Sequence, residues 1–205
     1  MKIAVLGAAG QAGSRIVAEA RSRGHHATAV VRRPIESDHV IADASDAEAV
    51  GRLAASHDAL VHAVRPPFGR EALYDPIMES VLAGVRPTDA RLYVVGGAAA
   101  LRVPDTGDLL KDDPRYTHPD WMPTIEASYR QYLICAAEDR AAWTYAAPPA
   151  EFEPGKKLGA YRRGSGELLV GSDGRARLSM EDFALALLDE IETPTVSRSM
   201  ITFAY

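Results

Sequence analysis

Short apolar runs alternate with longer segments of helical pattern along this chain of 205 residues, and this alternation constrains its fold more than any other feature. Apolar runs predict strands at residues 3–6, 27–31, 40–41, 59–64 and 92–95. Helical patterns lie between them, at residues 11–23, 47–55 and 71–84. Strands that alternate with helices pair in parallel through right-handed crossovers. We therefore predict an α/β fold with a doubly wound, mainly parallel sheet and helices on both faces.

The second half of the chain departs from this rhythm in two long irregular segments, residues 98–123 and 148–166. Each segment follows a late strand, so we expect both to overhang the carboxyl edge of the sheet and to cover a substrate there. Between them the sequence predicts a helix at residues 124–140 and a strand at residues 143–146.

The last part of the chain combines a turn, a helix and a strand. A Ser-Asp-Gly signal at residues 172–174 predicts the turn of a small hairpin formed by residues 168–170 and 176–178. Ser179 resembles an N-cap, which opens a helix that continues through residue 190. Residues 200–203 predict a final strand. We see no domain boundary, so residues 1–205 are expected to form a single domain.

Composition and charge narrow the class of protein. Hydrophobic residues make up 47% and charged residues 25% of the chain, as in an ordinary globular domain. The formal net charge of −5 argues against general binding of nucleic acid or of anionic membranes. The single cysteine, Cys135, excludes an internal disulfide and lacks the paired spacing of a zinc site, so we expect no metal site. No apolar stretch reaches the roughly 20 residues of a membrane span or forms a secretory signal, and we expect a cytoplasmic protein.

Gly7, Gly10 and Gly13 form a G-x-x-G-x-x-G pattern between the first predicted strand and the first predicted helix. Gly7 permits a tight turn, Gly10 allows a pyrophosphate to approach the backbone, and Gly13 lets the helix lie close to the sheet. The free amides and the positive dipole end of the helix attract phosphate. In this strand-to-helix context the pattern indicates a Rossmann-type dinucleotide-binding domain, with a plain turn that binds no ligand as the alternative.

The residues after the second strand indicate which dinucleotide is bound. An NAD-specific site usually has a carboxylate there for the ribose 2′-hydroxyl, whereas this chain has Arg32 and Arg33. A guanidinium matches a 2′-phosphate, so we predict that NADP(H) is preferred over NAD(H). Asp43 follows the third strand and either accepts a hydrogen bond from the adenine amino group or caps the helix that begins near Asp46.

Other strand ends complete the predicted cofactor site. Gly96 and Gly97 end the fifth strand, where a backbone without side chains allows close approach of a nicotinamide. Arg65 follows the fourth strand and is predicted to clamp a cofactor phosphate or an anionic substrate, with a charge at the rim as the alternative. The complete set of predicted cofactor-binding residues is Gly7, Ala9, Gly10, Gln11, Ala12, Arg32, Arg33, Asp43, Ala44, Ala63, Val64, Arg65, Gly96, Gly97 and Pro148.

Five segments together resemble the atypical short-chain dehydrogenase/reductase superfamily. They are the glycine pattern, Val30-Val31-Arg32, Val94-Val95-Gly96-Gly97, the WTYAAPP segment at residues 143–149 and the LSMED segment at residues 178–182. The match is closest to the small NAD(P)H-binding proteins that include NmrA-like proteins and flavin reductase/biliverdin reductase B. This resemblance implies a Rossmann fold, a preference for NADPH and hydride transfer to flavins, quinones or related electron-poor rings.

The chain lacks the proton-transfer residues that standard members of this superfamily use. No tyrosine is followed four residues later by lysine, and residues 97–100, where flavin reductase-like members carry a serine, read Gly-Ala-Ala-Ala. The resemblance places the catalytic tyrosine on the helix predicted at residues 124–140. Tyr129 and Tyr132 share a face of that helix and are therefore candidate proton donors, with ring packing as the alternative. We expect His62 to be a hydrogen-bonded core residue rather than a base.

These features favour an NADPH-dependent oxidoreductase that transfers hydride to a flavin, quinone or similar conjugated acceptor. Reduction of such an acceptor gives a delocalised anion that water can protonate, so the Tyr-x-x-x-Lys pair is dispensable. The catalytic candidates are Tyr129, Tyr132 and Arg65. The alternatives are an NmrA-like sensor that binds NADP(H) without turnover and a non-redox isomerase or cyclase on the same scaffold. As partners we expect a small conjugated substrate, no nucleic acid and no membrane, and as assembly a monomer or homodimer.

Overall fold

The computed structural model describes residues 1–205 and contains ten strands and five α-helices. The strands are β1 (Lys2–Leu6), β2 (His26–Val31), β3 (Val40–Ile41), β4 (Ala59–His62), β5 (Arg91–Val95), β6 (Trp143–Ala147), β7 (Glu151–Glu153), β8 (Arg162–Gly164), β9 (Arg177–Ser179) and β10 (Ser199–Ala204). The helices are α1 (Gln11–Ser22), α2 (Ala47–Ala55), α3 (Tyr74–Val85), α4 (Met122–Ala136) and α5 (Met180–Glu192).

Eight strands form one sheet in the order β3-β2-β1-β4-β5-β6-β10-β8. All neighbours in this sheet pair in parallel except β8, which is antiparallel to β10. The chain moves outward from β1 in one direction through β2 and β3, and in the other direction from β4. This reversal beside β1 opens a crevice at the carboxyl ends of the strands, where ligands bind in such sheets. The predicted doubly wound α/β class is confirmed.

Alternating side chains of the strands build a core on each face of the sheet. On β1, Ala4 and Leu6 belong to the larger core, whereas Ile3 and Val5 belong to the core on the opposite face. Helices α2, α3 and α4 contribute buried residues to the larger core, and α1 and α5 contribute to the other. Strands covered on both faces are buried throughout, which explains their continuous apolar runs.

The predicted hairpin of residues 168–170 and 176–178 is wrong, although its turn is present. The Gly171 N–H donates to the Arg175 carbonyl oxygen at 2.8 Å, which closes the turn. The Leu168 N–H bonds instead to the Arg102 carbonyl oxygen at 2.8 Å, and β9 pairs in parallel with β7. Leu168 is buried in the larger core and Leu178 in the core on the opposite face. Because a turn signal specifies only a local chain reversal, burial on opposite faces decides the strand partners.

Helix α4 ends four residues earlier than the sequence predicts, at Ala136 rather than residue 140. The Glu138 carboxylate accepts hydrogen bonds from the backbone N–H groups of Arg140 and Ala141 at 2.8 and 2.9 Å. These bonds take the N–H groups out of the helical pattern and direct the chain into β6. None of the helices combines the length and the apolarity that crossing a membrane requires.

Candidate functional site

A cleft of about 1630 Å³ runs along the carboxyl ends of the central strands. Every residue predicted to contact the cofactor lines this cleft, namely Gly7, Ala9, Gly10, Gln11, Ala12, Arg32, Arg33, Asp43, Ala44, Ala63, Val64, Arg65, Gly96, Gly97 and Pro148. These residues come from separate segments of the chain. They meet because parallel strands end at the same edge of the sheet.

The glycine turn packs closely against the neighbouring strand and against its own helix. Gly7 has a φ of 82°, and a Cβ atom there would lie 2.6 Å from the Ala63 carbonyl oxygen. A Cβ atom at Gly13 would lie 2.3 Å from the Gly7 carbonyl oxygen. Gly10 is the N-cap of α1 and supplies no side-chain cap, so the amides of the first helical turn face the cleft without a capping group. The turn has the shape and polarity that a pyrophosphate requires.

Arg32 and Arg33 line the cleft immediately after β2. Both side chains are exposed, and neither takes part in any ion pair of the protein. Two guanidinium groups without carboxylate partners give this end of the cleft a positive charge that is available to an anion.

Asp43 lies close to the arginines but does not cap the following helix. The backbone N–H and hydroxyl of Ser45 donate to its carboxylate at 2.9 and 2.8 Å. These bonds, together with the nearby Arg32 charge, hold the pKa of Asp43 below its ordinary value. Asp46 is the N-cap of α2. The capping alternative for Asp43 is therefore wrong, and the adenine contact stays a prediction.

Tyr145 of β6 organises the part of the cleft next to Gly96 and Gly97, and no sequence signal singles it out. The Gly97 N–H donates to the Tyr145 hydroxyl oxygen at 3.0 Å, and this hydroxyl donates to the Ser128 carbonyl oxygen at 3.1 Å. A Cβ atom at Gly96 would lie 2.0 Å from the Tyr145 ring, so the ring fills the space that a side chain at Gly96 would occupy. Burial raises the pKa of Tyr145 well above its ordinary value, and the neutral hydroxyl joins the end of β5 to α4.

The far end of the cleft is aromatic and apolar, and its lining includes Tyr74, Leu110, Tyr116, Trp121 and Ile125. The Arg65 guanidinium lies over the Trp121 ring, 5.5 Å from the ring centre. Phe68 contacts the same ring edge-on, with ring centres 6.1 Å apart. Such a surface accepts a flat conjugated ring, and Arg65 adds a cation beside it.

Tyr129 and Tyr132 lie outside the cleft, which corrects their prediction as catalytic residues. Lys111 Nζ lies 5.2 Å from the centre of the Tyr129 ring, and the Tyr132 ring packs edge-on against Tyr145 with centres 5.3 Å apart. Both rings pack against the larger core. The residues that α4 presents to the cleft are instead Thr124, Ile125, Ser128 and Gln131. The alternative of ring packing describes both tyrosines.

The two irregular segments contribute unequally to the cleft. From 98–123, the cleft lining includes residues 98–99, 110, 115–118 and 121, whereas from 148–166 it includes residues 148–153 alone. Within the second segment, β8 extends the sheet edge. The Asp182 carboxylate accepts hydrogen bonds from the N–H groups of Leu158 and Gly159 at 2.8 and 2.9 Å, which hold this part of the chain against α5.

His62, the last residue of β4, is fully buried. Gln131 Nε2 donates to His62 Nε2 at 3.3 Å, whereas His62 Nδ1 has no hydrogen-bond partner. Burial lowers the pKa of His62 to about 4, so the ring is neutral at pH 7. The expectation of a buried core histidine is confirmed, with one of its two ring nitrogens bonded.

We expect His62 to make the protein less stable as the pH falls from about 6.5 towards 4. An unfolded chain gives histidine its ordinary pKa of about 6.5, and the folded pKa is about 4, so the unfolded state binds the additional proton in this interval. Between pH 7 and pH 5 this linkage removes about 2 kcal/mol of the free energy of unfolding. Urea unfolding at both pH values measures the loss, which His62→Leu should lack and His118→Leu in the exposed loop should retain. Equal pH dependence in wild type and His62→Leu would contradict the expectation.

Comparisons with known proteins agree with this geometry. The family model described as NAD(P)H-binding matches residues 7–194. The uncharacterized protein YwnB of Bacillus subtilis is 34% identical over 202 residues, which cover 95% of this chain and 93% of YwnB.

Two solved structures are similar over the whole chain. A Streptococcus pneumoniae protein, provisionally named an NADH-flavin reductase, has a TM-score of 0.92 and 28% identity, with coverage of 100% of this chain and 99% of that chain. A Burkholderia pseudomallei protein, provisionally named an exported protein, has a TM-score of 0.90 and 32% identity, with full coverage of both chains. This chain belongs to the NAD(P)H-binding family and is a Rossmann-type protein of the atypical short-chain dehydrogenase/reductase kind, as its motifs implied.

Proposed function

We propose that this protein is an NADPH-dependent oxidoreductase that reduces a flavin, a quinone or a similar conjugated acceptor. The observation that carries the proposal is one continuous cleft, which joins the glycine turn and two unpaired arginines to an aromatic far end. The name of the Streptococcus pneumoniae neighbour supports reduction of an electron-poor ring. That name specifies NADH, whereas the arginines after β2 favour NADPH here.

The residues of the cleft fit a dinucleotide with a 2′-phosphate. The N–H groups at the start of α1 would donate hydrogen bonds to the pyrophosphate, and Arg32 and Arg33 would neutralise the 2′-phosphate. When bound, the cofactor supplies a hydride. The Gly96–Gly97 backbone, held by the hydrogen bond from the Gly97 N–H to Tyr145, would leave room for the nicotinamide, and Trp121 and Ile125 of the same cleft would contact the acceptor.

The nature of the acceptor follows from the groups that the chain lacks. A simple ketone becomes a strongly basic alkoxide and needs a Tyr-x-x-x-Lys pair, which this sequence does not have. A flavin or quinone becomes a delocalised anion, for which positioning of two rings face to face supplies most of the catalysis. The cleft therefore suits an extended conjugated ring. We propose that the protein acts in the cytoplasm on such a small molecule, as a monomer or homodimer, without nucleic-acid or membrane partners.

The function is tested by incubating the protein with NADPH and a panel of flavins and quinones while the absorbance of the reduced cofactor is followed. We expect oxidation of NADPH that requires both protein and acceptor, and slower oxidation of NADH. Tight binding of NADPH without turnover on any acceptor would overturn the proposal.

A second candidate is a redox sensor that binds NADP(H) without turnover. The specific observation that favours it is the absence of the Tyr-x-x-x-Lys pair together with the packing of Tyr129 and Tyr132 outside the cleft. Such a sensor would bind the oxidised and reduced cofactor and show no acceptor-dependent oxidation in the same assay.

A further inference from the structure

Two aromatic rings are exposed to solvent at the far end of the cleft. Phe68 is 67% exposed and Trp121 is 49% exposed, whereas every other Phe and Trp ring of the chain is buried or half-buried. The two rings contact each other edge-on, and Trp121 lines the cleft. They come from separate segments, one after β4 and the other just before α4. Because burial of aromatic rings stabilises a fold, two exposed rings in contact at a cleft indicate a surface that a ligand covers.

Arg65 adds a cation to this surface. Its guanidinium lies over the Trp121 ring, with Cζ 5.5 Å from the ring centre. The side chain is exposed and forms no ion pair with any carboxylate of the chain. The N–H donors of a guanidinium lie in its plane, so contact with a ring face leaves them free. Their fork geometry suits a carboxylate or a phosphate.

The other guanidinium groups that line the cleft are engaged or belong to its other end. Arg115 is bound by Asp105 and Asp113 at 2.6 Å each, and Arg175 is bound by Glu151. The two arginines that follow β2 belong to the other end, where this strand meets the glycine turn. A guanidinium without a carboxylate partner therefore remains at the aromatic end, beside the exposed rings.

We propose that the acceptor carries an anionic substituent, a carboxylate or a phosphate, and that Arg65 binds this group while Trp121 contacts the conjugated ring. This proposal rests on the proposed reductase function and narrows its class of substrate. A neutral acceptor would leave the guanidinium without a counter-ion, whereas an anionic acceptor gains a charge-assisted hydrogen bond. Because the substituent lies outside the ring that is reduced, its recognition acts on acceptor binding rather than on hydride transfer.

FMN and riboflavin provide the test, because they share one isoalloxazine ring and differ only in the 5′-phosphate. We expect the wild-type protein to reduce FMN with a KM at least about ten-fold lower than that for riboflavin and with a similar kcat. Arg65→Gln should raise the KM for FMN by about ten-fold. The KM for riboflavin and the NADPH dissociation constant should each change by less than about two-fold. Arg140→Gln removes the same charge from an exposed position outside the cleft and should behave like wild type.

Trp121→Leu tests the contact with the conjugated ring separately from the charge. We expect this variant to raise the KM for FMN and for riboflavin by a similar factor of about three-fold, because both acceptors present the same ring. Unchanged KM values for both flavins would overturn the role of Trp121.

The outcomes separate this proposal from the function on which it rests. Equal KM values for the two flavins in the wild type, or an equal increase of both in Arg65→Gln, would overturn the anionic substituent while the reductase function stands. An NADPH dissociation constant raised by more than about five-fold in Arg65→Gln would also overturn it, because Arg65 would then bind the cofactor. Where the wild type reduces quinones and not flavins, anthraquinone-2-sulfonate and the neutral anthraquinone-2-sulfonamide replace the two flavins, with the same expectations. Wild type that binds NADPH and reduces no acceptor would overturn the reductase function and this proposal with it.

Discussion

Gly7→Ala is expected to lower the free energy of unfolding by about 2–6 kcal/mol and to abolish dinucleotide binding. A residue with a Cβ atom at a φ of 82° carries backbone strain, of about 1–3 kcal/mol. The new Cβ atom would also lie 2.6 Å from the Ala63 carbonyl oxygen, so β4 and the glycine turn must separate. Overpacking of this kind lowers the free energy of unfolding by a further ~1–3 kcal/mol. Urea unfolding and calorimetric titration with NADPH measure the two effects.

Gly24→Ala is the matched control, because Gly24 has a φ of 79° and nothing within 4 Å of the position of a Cβ atom. This variant introduces the backbone strain without the close contact, so we expect its free energy of unfolding to fall by about 1 kcal/mol and its cofactor binding to stay unchanged. If both variants lost the same free energy of unfolding, the close contact between the glycine turn and β4 would not contribute to stability, which would contradict the prediction.

Simultaneous replacement of Arg32 and Arg33 by alanine is expected to raise the NADPH dissociation constant by about 100-fold. A charge-assisted hydrogen bond to phosphate contributes about 1.5–3 kcal/mol, and the exposure of both side chains places the pair at the low end of that range. NADH lacks the 2′-phosphate, so its dissociation constant should change by less than about three-fold. Calorimetric titration of the variant with each reduced cofactor measures the difference.

Arg52→Ala combined with Arg140→Ala removes the same charge from exposed positions that do not line the cleft. This control should bind NADPH like wild type, apart from a small effect of net charge. An equal weakening of NADPH and NADH binding in the Arg32 and Arg33 variant would mean that the arginines do not distinguish the 2′-phosphate.

The sequence predicts the fold well because its strongest signals are local and repeated. The apolar run of β1, the glycines that follow and the amphipathic α1 each specify their own conformation, and the parallel sheet follows from their alternation. The residues that line the cleft were predictable for the same reason: the ends of parallel strands meet at one edge, so a residue's position along its strand indicates its place in the cleft.

Contacts between distant segments were not predictable in this way. Tyr145 is an ordinary apolar-strand residue by sequence, and only its packing against Gly96 and α4 shows that it supports the end of β5 beside the cleft. Tyr129 and Tyr132 share a helical face, but helical spacing does not specify whether that face meets a cleft or a core.

Calorimetric titration of the wild-type protein with NADPH and, separately, with NADH tests most directly whether the cleft is a site for a 2′-phosphorylated dinucleotide. We expect one NADPH per chain, bound at least about ten-fold more tightly than NADH, because the two arginines after β2 have no other partner. Absence of binding heat with both cofactors, or tighter binding of NADH, would contradict this assignment.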